Sequence, residues 1–283
     1  MKRFKIEKEH YGYKISQYLR EVQNYSGRSL RNIEVYLDGK RVRTTTKIRK
    51  QGIIKVAEKE KGTNIKPLKI PLDIVFEDED VLVVNKQPYL VTHPTKKKVD
   101  VTLANGIVYY FQEKYGKEMV PRFYNRLDMD TSGLIIIAKN SFAQAFLQNF
   151  GDVKKYYMAL VHGIIKDDMM VIEKPIARVG DDLRRQILDT GQYAKTVIKT
   201  IKRNEEKNIT LAECELFTGR THQIRVHLSN EGHPILGDKL YGDGSDNVKR
   251  QMLHSYKISF IHPRTKEVKE IEIGMYEDMK DFI

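Results

Sequence analysis

The run Leu134-Ile135-Ile136-Ile137-Ala138 constrains this chain more than any other stretch of it. Five consecutive apolar residues offer water no polar side. At strand length, such a run belongs in the middle of a sheet covered on both faces. Shorter β-runs surround it. Ile74-Val75-Phe76-Glu77 and Val81–Asn85 flank the acidic turn Asp78-Glu79-Asp80. Further strands are expected at Tyr156–Val161, Val171–Val179, Lys195–Ile201, Ile209–Leu216, Ile258–Ile261 and Val268–Ile273. Helices are fewer. One is expected around Val101–Tyr115, and one after a cap at Asn140 or Ser141, carrying Phe142, Ala145 and Phe146. A third, over His222–Asn230, is expected to be capped by Thr221 and stopped near Gly232. Many strands with a few interspersed helices predict an α+β fold with a mixed sheet.

Charge divides the chain unevenly. Residues 1–67 hold 18 Lys+Arg against 7 Asp+Glu, a net +11, while the remaining 216 residues net only +1. That asymmetry points to a polyanion-binding appendage on a nearly neutral body, although a solvated lysine-rich surface has the same composition. Within the appendage, Ile15, Tyr18, Leu19 and Val22 recur at helical spacing. Ser29 is placed to cap a second short helix containing Leu30, Ile33 and Val35. Asp38-Gly39 marks a tight turn, and Arg41-Val42-Arg43 and Ile53–Val56 alternate like strands. Arg28, Arg31, Lys40, Arg41 and Arg43 are the candidate phosphate contacts. The charged, breaker-rich stretch Glu58–Pro67 reads as a connection. The expected division is 1–60, a linker at 61–71, and a body at 72–283.

Several function classes are excluded at this level. No apolar run approaches membrane-spanning length, and Met1–Lys8 lacks the apolar core of a signal peptide, so a cytoplasmic protein is expected. A single cysteine, Cys214, allows no internal disulfide and no cysteine-based zinc site. His222 and His227 are off the helical chelating spacing, and no metal is expected.

Three segments carry candidate chemistry. Asn125-Arg126-Leu127-Asp128-Met129-Asp130-Thr131-Ser132-Gly133 holds a carboxylate and an arginine at the mouth of the buried strand. Taken alone, it equally suits an Asx-turn. Lys155–Gly163 offers Tyr157 on one strand face and Tyr156 on the other. Either could stack on a base, or simply pack in a sheet. Thr218-Gly219-Arg220-Thr221-His222-Gln223-Ile224-Arg225-Val226-His227 gathers cations at a strand-to-helix junction. Gly232-His233-Pro234-Ile235-Leu236-Gly237-Asp238 follows it.

Together these segments resemble the RluA family of pseudouridine synthases over roughly residues 72–275. The Arg-Leu-Asp-x-x-Thr-Ser-Gly and Thr-Gly-Arg-Thr-His-Gln-Ile-Arg-Val-His blocks carry the likeness. Residues 11–57 resemble a small S-four-like RNA-binding domain, through Ser26-Gly27-Arg28-Ser29 and Gly39-Lys40-Arg41-Val42. The combination is similar to the RluD-like branch. One departure stands out: Asn125 occupies a position that is usually His.

The resemblance implies an α+β, mostly antiparallel catalytic domain that converts uridine in RNA to its carbon-linked isomer without a cofactor. It assigns Asp128 as the catalytic carboxylate and Arg225 as its partner. Arg126 would fill the gap left by the flipped nucleotide, Tyr157 would pack on the uracil, and Leu253 would line the base pocket. Flipping is a physical requirement, because stacking hides the glycosidic bond. Large-subunit ribosomal RNA is the expected target, with transfer RNA as the alternative, and the chain is expected to be a monomer. The Ile176–Gln192 region, with Arg178, Arg184 and Arg185, reads as an RNA-facing hairpin or as solvated charge. A non-catalytic RNA-binding assembly factor would lack Asp128, Arg225 or Tyr157. A glycosidase or nuclease would need a second carboxylate or a metal cluster.

Overall fold

The computed structural model describes residues 1–25, 27–31, 33–58, 62–94, 101–242, 244 and 247–283, without the side chains of Arg28 and Glu58. Its N-terminal part runs Lys2–Lys5 (β1), Ile15–Glu21 (α1), Gly27–Leu30 (α2), Ile33–Leu37 (β2), Lys40–Val42 (β3) and Ile53–Glu58 (β4). The strands form an antiparallel sheet in the order β1-β4-β2-β3. Ile15, Tyr18 and Leu19 of α1 pack with Val35, Ile54 and Val56 of the sheet. Asp38 (φ 48°) and Gly39 (φ 83°) both adopt the left-handed conformation that a two-residue hairpin between β2 and β3 needs.

Two sequence expectations fail here. Ile33 and Val35 lie on β2, not on a helix, and Ser29 sits inside α2 instead of capping it. The physical reason is the period: Ile33, Val35 and Leu37 alternate, and that period of two wins once β4 supplies a partner.

The body continues through Asp73–Glu77 (β5), Val81–Lys86 (β6), Leu103–Tyr115 (α3), Arg122–Phe123 (β7), Ser132–Ala138 (β8), Ser141–Phe150 (α4) and Lys154–His162 (β9). It then runs through Met169–Glu173 (β10), Ile176–Arg178 (β11), Arg185–Ile187 (β12), Lys195–Asn204 (β13) and Ile209–Leu216 (β14). Gln223–Asn230 (α5), Leu253–Ile261 (β15), Val268–Glu272 (β16) and Glu277–Lys280 (α6) complete it. The main sheet has the order β10-β13-β14-β9-β15-β8-β6-β5, with β7 and β16 paired at its sides. β8 is buried along its whole length. Ile135 and Ile137 face Leu103, Ile107 and Phe111 of α3. Leu134, Ile136 and Ala138 face Ala143 and Leu147 of α4. The apolar run is therefore covered on both faces, as expected.

The pairing is antiparallel except between β8 and β15, where His254 lies opposite Ser132 and Ser255 opposite Gly133. A Cβ on Gly133 would sit 2.3 Å from the Ser255 carbonyl oxygen, and its φ is +115°. Only glycine permits that approach. The parallel pair brings the chain entering β8 and the chain entering β15 to one end of the sheet.

Pro175 divides the expected Val171–Val179 strand. β10 pairs with β13, whereas β11 leaves to form a separate hairpin with β12. Proline has no amide to continue the ladder. The two parts of the chain are packed together. Phe142 of α4 is buried in the N-terminal core, with its ring centroid 5.1 Å from that of Tyr25. Lys2 Nζ donates to Asn140 Oδ1 at 2.9 Å, lies 3.6 Å from Asp80 Oδ1, and stands 3.5 Å above the Phe142 ring. Among the described residues no helix is long and apolar enough to cross a membrane.

Candidate active site

The loop that enters β8 lines a cleft of about 790 Å³, and Asp128 sits on it. The loop is held by its carbonyls. Thr92 Oγ1 donates to Leu127 O at 2.9 Å, Lys86 Nζ to Met129 O at 3.0 Å, and Arg250 Nη1 to Asp130 O at 3.2 Å. Gln251 Nε2 donates to Thr131 Oγ1 at 3.1 Å. Lys86 is fully buried at the end of β6. Burial pulls its pKa down to about 7, against the pull of Asp130 and Asp128. Arg250 is also buried, and Asp278 of α6 grips its guanidinium at 2.7 and 2.6 Å. A carboxylate on such a loop has little freedom to wander.

Arg225, on the first turn of α5, donates through Nη1 to Asp128 Oδ2 at 2.8 Å. Its other two nitrogens make a two-pronged pair with Asp238, Nε to Oδ2 at 2.7 Å and Nη2 to Oδ1 at 2.8 Å. Asp238 is itself buried and accepts from the amides of Leu240 and Tyr241. Burial would lower the Arg225 pKa, but the Asp238 and Asp128 carboxylates hold it above its ordinary value. The planar fork thus fixes which edge of the guanidinium meets Asp128. Among the described residues, Asp128 Oδ1 has no hydrogen-bond partner.

The other predicted residues converge on the same cleft. Tyr157 of β9, Leu253 at the start of β15 and Arg126 all line it. Tyr157 and Leu253 are buried, and Arg126 is exposed. Burial, reinforced by the charge of Asp128, pushes the Tyr157 phenol above its ordinary pKa, so at neutral pH it is a flat, uncharged ring. Asn125 has a definite task. Its Oδ1 accepts from Ile136 N at 2.9 Å and its Nδ2 donates to Leu134 O at 3.2 Å, so the side chain extends the β7 ladder along β8. His222 is the residue before α5 and stands where a Thr221 cap was expected. It makes no capping bond. Its Nδ1 is 2.9 Å from the Tyr241 hydroxyl and its Nε2 is 3.9 Å from Asp128 Oδ2. His227 is instead structural, held between Thr196 Oγ1 and Lys174 O.

Arg31, Lys40, Arg41 and Arg43 do not reach the cleft. They are exposed on the N-terminal part, where Arg41 pairs with Glu34 at 2.7 Å. The Arg28 side chain and Ser26 lie outside the described residues. The β11–β12 hairpin sets Arg178 opposite Arg185, and Arg185 N donates to the Tyr241 hydroxyl at 2.7 Å. Sequence reasoning missed Lys86, Asp238, Tyr241 and Arg250. Only Asp238 left a signal, as the acid closing the segment after the arginine-rich block. Among the described residues, no group of three His, Cys, Asp or Glu side chains gathers where a metal ion could be held.

Residues 80–230 match the family model described as RNA pseudouridylate synthase. An uncharacterised RNA pseudouridine synthase of Bacillus subtilis (strain 168), YjbO, is 38% identical over 88% of this chain and 89% of its own. The ribosomal large subunit pseudouridine synthase D of Zymomonas mobilis is 37% identical over 76% of this chain and 72% of its own. Among solved structures, the human RNA pseudouridylate synthase domain containing 1 protein superposes with a TM-score of 0.61. It is 27% identical and covers 75% of this chain and 87% of that one. The model match spans just over half the chain, and the Bacillus relative spans nearly all of it: the chain belongs to the RNA pseudouridylate synthase family and is an RNA pseudouridine synthase.

Proposed function

We propose that Asp128 is the carboxylate that starts the isomerisation, and that its substrate is a uridine in large-subunit ribosomal RNA. One observation carries the first part. Asp128 keeps one oxygen on a locked guanidinium, and the other, without a partner among the described residues, faces a cleft large enough for a nucleotide. An ionised carboxylate so held can attack the ribose carbon C1′, or take a proton from C2′ to give a glycal. Either way the electron pair of the bond between C1′ and N1 leaves with the uracil. The base turns and its C5 bonds to C1′, as the ester bond to Asp128 breaks on the first route or as C2′ takes its proton back from Asp128 on the second. C5 then gives up its proton and N1 gains one. Water is not consumed, so a second acid–base carboxylate is unnecessary. Arg225 holds Asp128 in position, Tyr157 and Leu253 hold the loose base, and Arg126 fills the gap in the stack. The name of the Zymomonas relative supports the ribosomal target.

The same proposal divides the chain at 1–60, 61–71 and 72–283. Arg31, Lys40, Arg41 and Arg43 then supply phosphate contacts from the first unit. Carbodiimide mapping of total RNA from cells with and without the protein tests the target. A pseudouridine in large-subunit ribosomal RNA should vanish without the protein and return with the wild-type chain, but not with Asp128→Asn. Disappearance of a pseudouridine from transfer RNA alone would overturn the target assignment.

A further inference from the structure

His222 is a third polar group aimed at the space before Asp128, and nothing above gives it a task. Its Nε2 stands 3.9 Å from Asp128 Oδ2. That is too far for a hydrogen bond, yet close enough for one hydroxyl oxygen to touch both. The backbone supports a functional reason. His222 adopts φ +59°, a left-handed conformation that carries a cost for a residue with a side chain. It sits at the head of α5 but does not cap the helix. Its ring turns into the cleft instead.

The hydrogen bonds around the ring favour one tautomer. Arg185 N donates to the Tyr241 hydroxyl at 2.7 Å, and that hydroxyl lies 2.9 Å from His222 Nδ1. The hydroxyl accepts from the amide and has one hydrogen left to give, which goes to Nδ1. The ring proton is therefore assigned to Nε2, facing Asp128. The opposite tautomer would point a lone pair at the carboxylate and leave the tyrosine hydrogen unused. Burial, with the nearby Arg225 and Arg185, outweighs Asp128 and holds the imidazole below its ordinary pKa, so it is neutral at pH 7.

We infer that His222 and Asp128 together seat the ribose 2′-hydroxyl of the target nucleotide. The inference rests on the reading that Asp128 meets the ribose at C1′ or C2′. The 2′-oxygen is one bond from C2′ and two from C1′, so it lies beside the carboxylate by either route. The Nε2 hydrogen donates to it, and its own hydrogen goes to Asp128 Oδ2. That oxygen has a second lone pair beyond the one taken by Arg225. Oδ1 stays free for the reacting atom. His222 is thus a substrate-contacting residue that favours ribose over deoxyribose.

The test uses the purified full chain and a synthetic RNA carrying the uridine found by mapping, as ribo- or 2′-deoxyuridine. Single-turnover rates are compared for wild type, His222→Asn, Tyr241→Phe and Asp128→Asn. Asparagine tolerates the left-handed backbone, so His222→Asn withdraws the ring without disturbing the turn. The ribose preference of the wild type should shrink by about tenfold in His222→Asn. It should shrink by a smaller factor in Tyr241→Phe, which frees the tautomer. Rates on the two substrates that fall by one common factor, or do not fall, would overturn the inference. If His222→Asn lowers the melting temperature, Tyr241→Phe decides, and an unchanged preference there is equally contrary. Should Asp128→Asn isomerise at wild-type speed, the reading of Asp128 falls first and takes the inference with it.

Discussion

The N-terminal part and the body use their charges in opposite ways. The first 67 residues carry nearly all the excess positive charge, and apart from the tethered Lys2 and the half-buried Lys55 the arginines and lysines described there are exposed. The body is almost neutral, yet it buries Lys86, Arg225 and Arg250 and ties each to carboxylates or carbonyls. Exposed charge is screened by salt and contributes affinity without geometry. Buried charge tolerates one arrangement only, because an unpaired ion is costly there. The difference separates what each can supply: a salt-sensitive attraction for a polyanion at the surface, and a fixed direction for one carboxylate inside.

The comparison breaks if a buried partner of Arg225 proves dispensable. Asp238→Asn should slow the chemical step by about 10²-fold, because the fork that orients Arg225 is broken. Single-turnover kinetics at saturating RNA would show it, and a change confined to RNA affinity would contradict it. A stability test sharpens the same contrast at the far end of α3. Burial would raise the Glu77 pKa, but hydrogen bonds from Lys114, Tyr110, Tyr115 and Lys139 bring it down to about 2. A carboxylate with a lowered native pKa adds stability above its unfolded pKa and loses it as pH falls through the native one. Glu77→Gln should therefore cost on the order of 3 kcal/mol at pH 7. The gap to wild type in urea titrations should narrow between pH 4.5 and pH 2.

The N-terminal part should respond differently. Replacing Arg31, Lys40, Arg41 and Arg43 by glutamine should leave the single-turnover rate at saturating RNA unchanged. It should flatten the salt dependence of binding by roughly one unit of slope for each phosphate no longer neutralised. Substitution is a cleaner test than truncation, because removing β1 and α2 would strip the cover from Phe142 and take Lys2 from Asp80. Arg41→Gln alone should have the smallest effect, a few-fold in affinity at low salt, since Arg41 already shares its charge with Glu34. An unchanged salt slope in the fourfold variant would remove the N-terminal part from RNA binding.

Much of the body could be read from residue order, because its signals are local. The run 134–138 announced a doubly covered strand, and Asp128 stands in a short block beside it. Arg225 was identified as its partner by resemblance, and a 2.8 Å bond now joins them. The supports of that pair were not legible. Lys86 reaches Met129 across 43 residues and Arg250 reaches Asp130 across 120, and no local pattern encodes such a meeting. Local competition explains the smaller errors. Leu30, Ile33 and Val35 fit a helix until Leu37 extends the alternation, and a single proline ended a strand that looked continuous. Thr221 is a good capping residue in isolation, but the chain places His222 at the cap and turns its ring to the cleft.

The most direct measurement is pseudouridine formation by purified Asp128→Asn against wild type, in single turnover, with unchanged melting temperature and RNA affinity. The isosteric amide keeps the shape of the site and removes the negative charge. The rate should fall by a factor on the order of 10⁴ or more. Isomer appearing at the wild-type rate would mean that the chemistry belongs to another group.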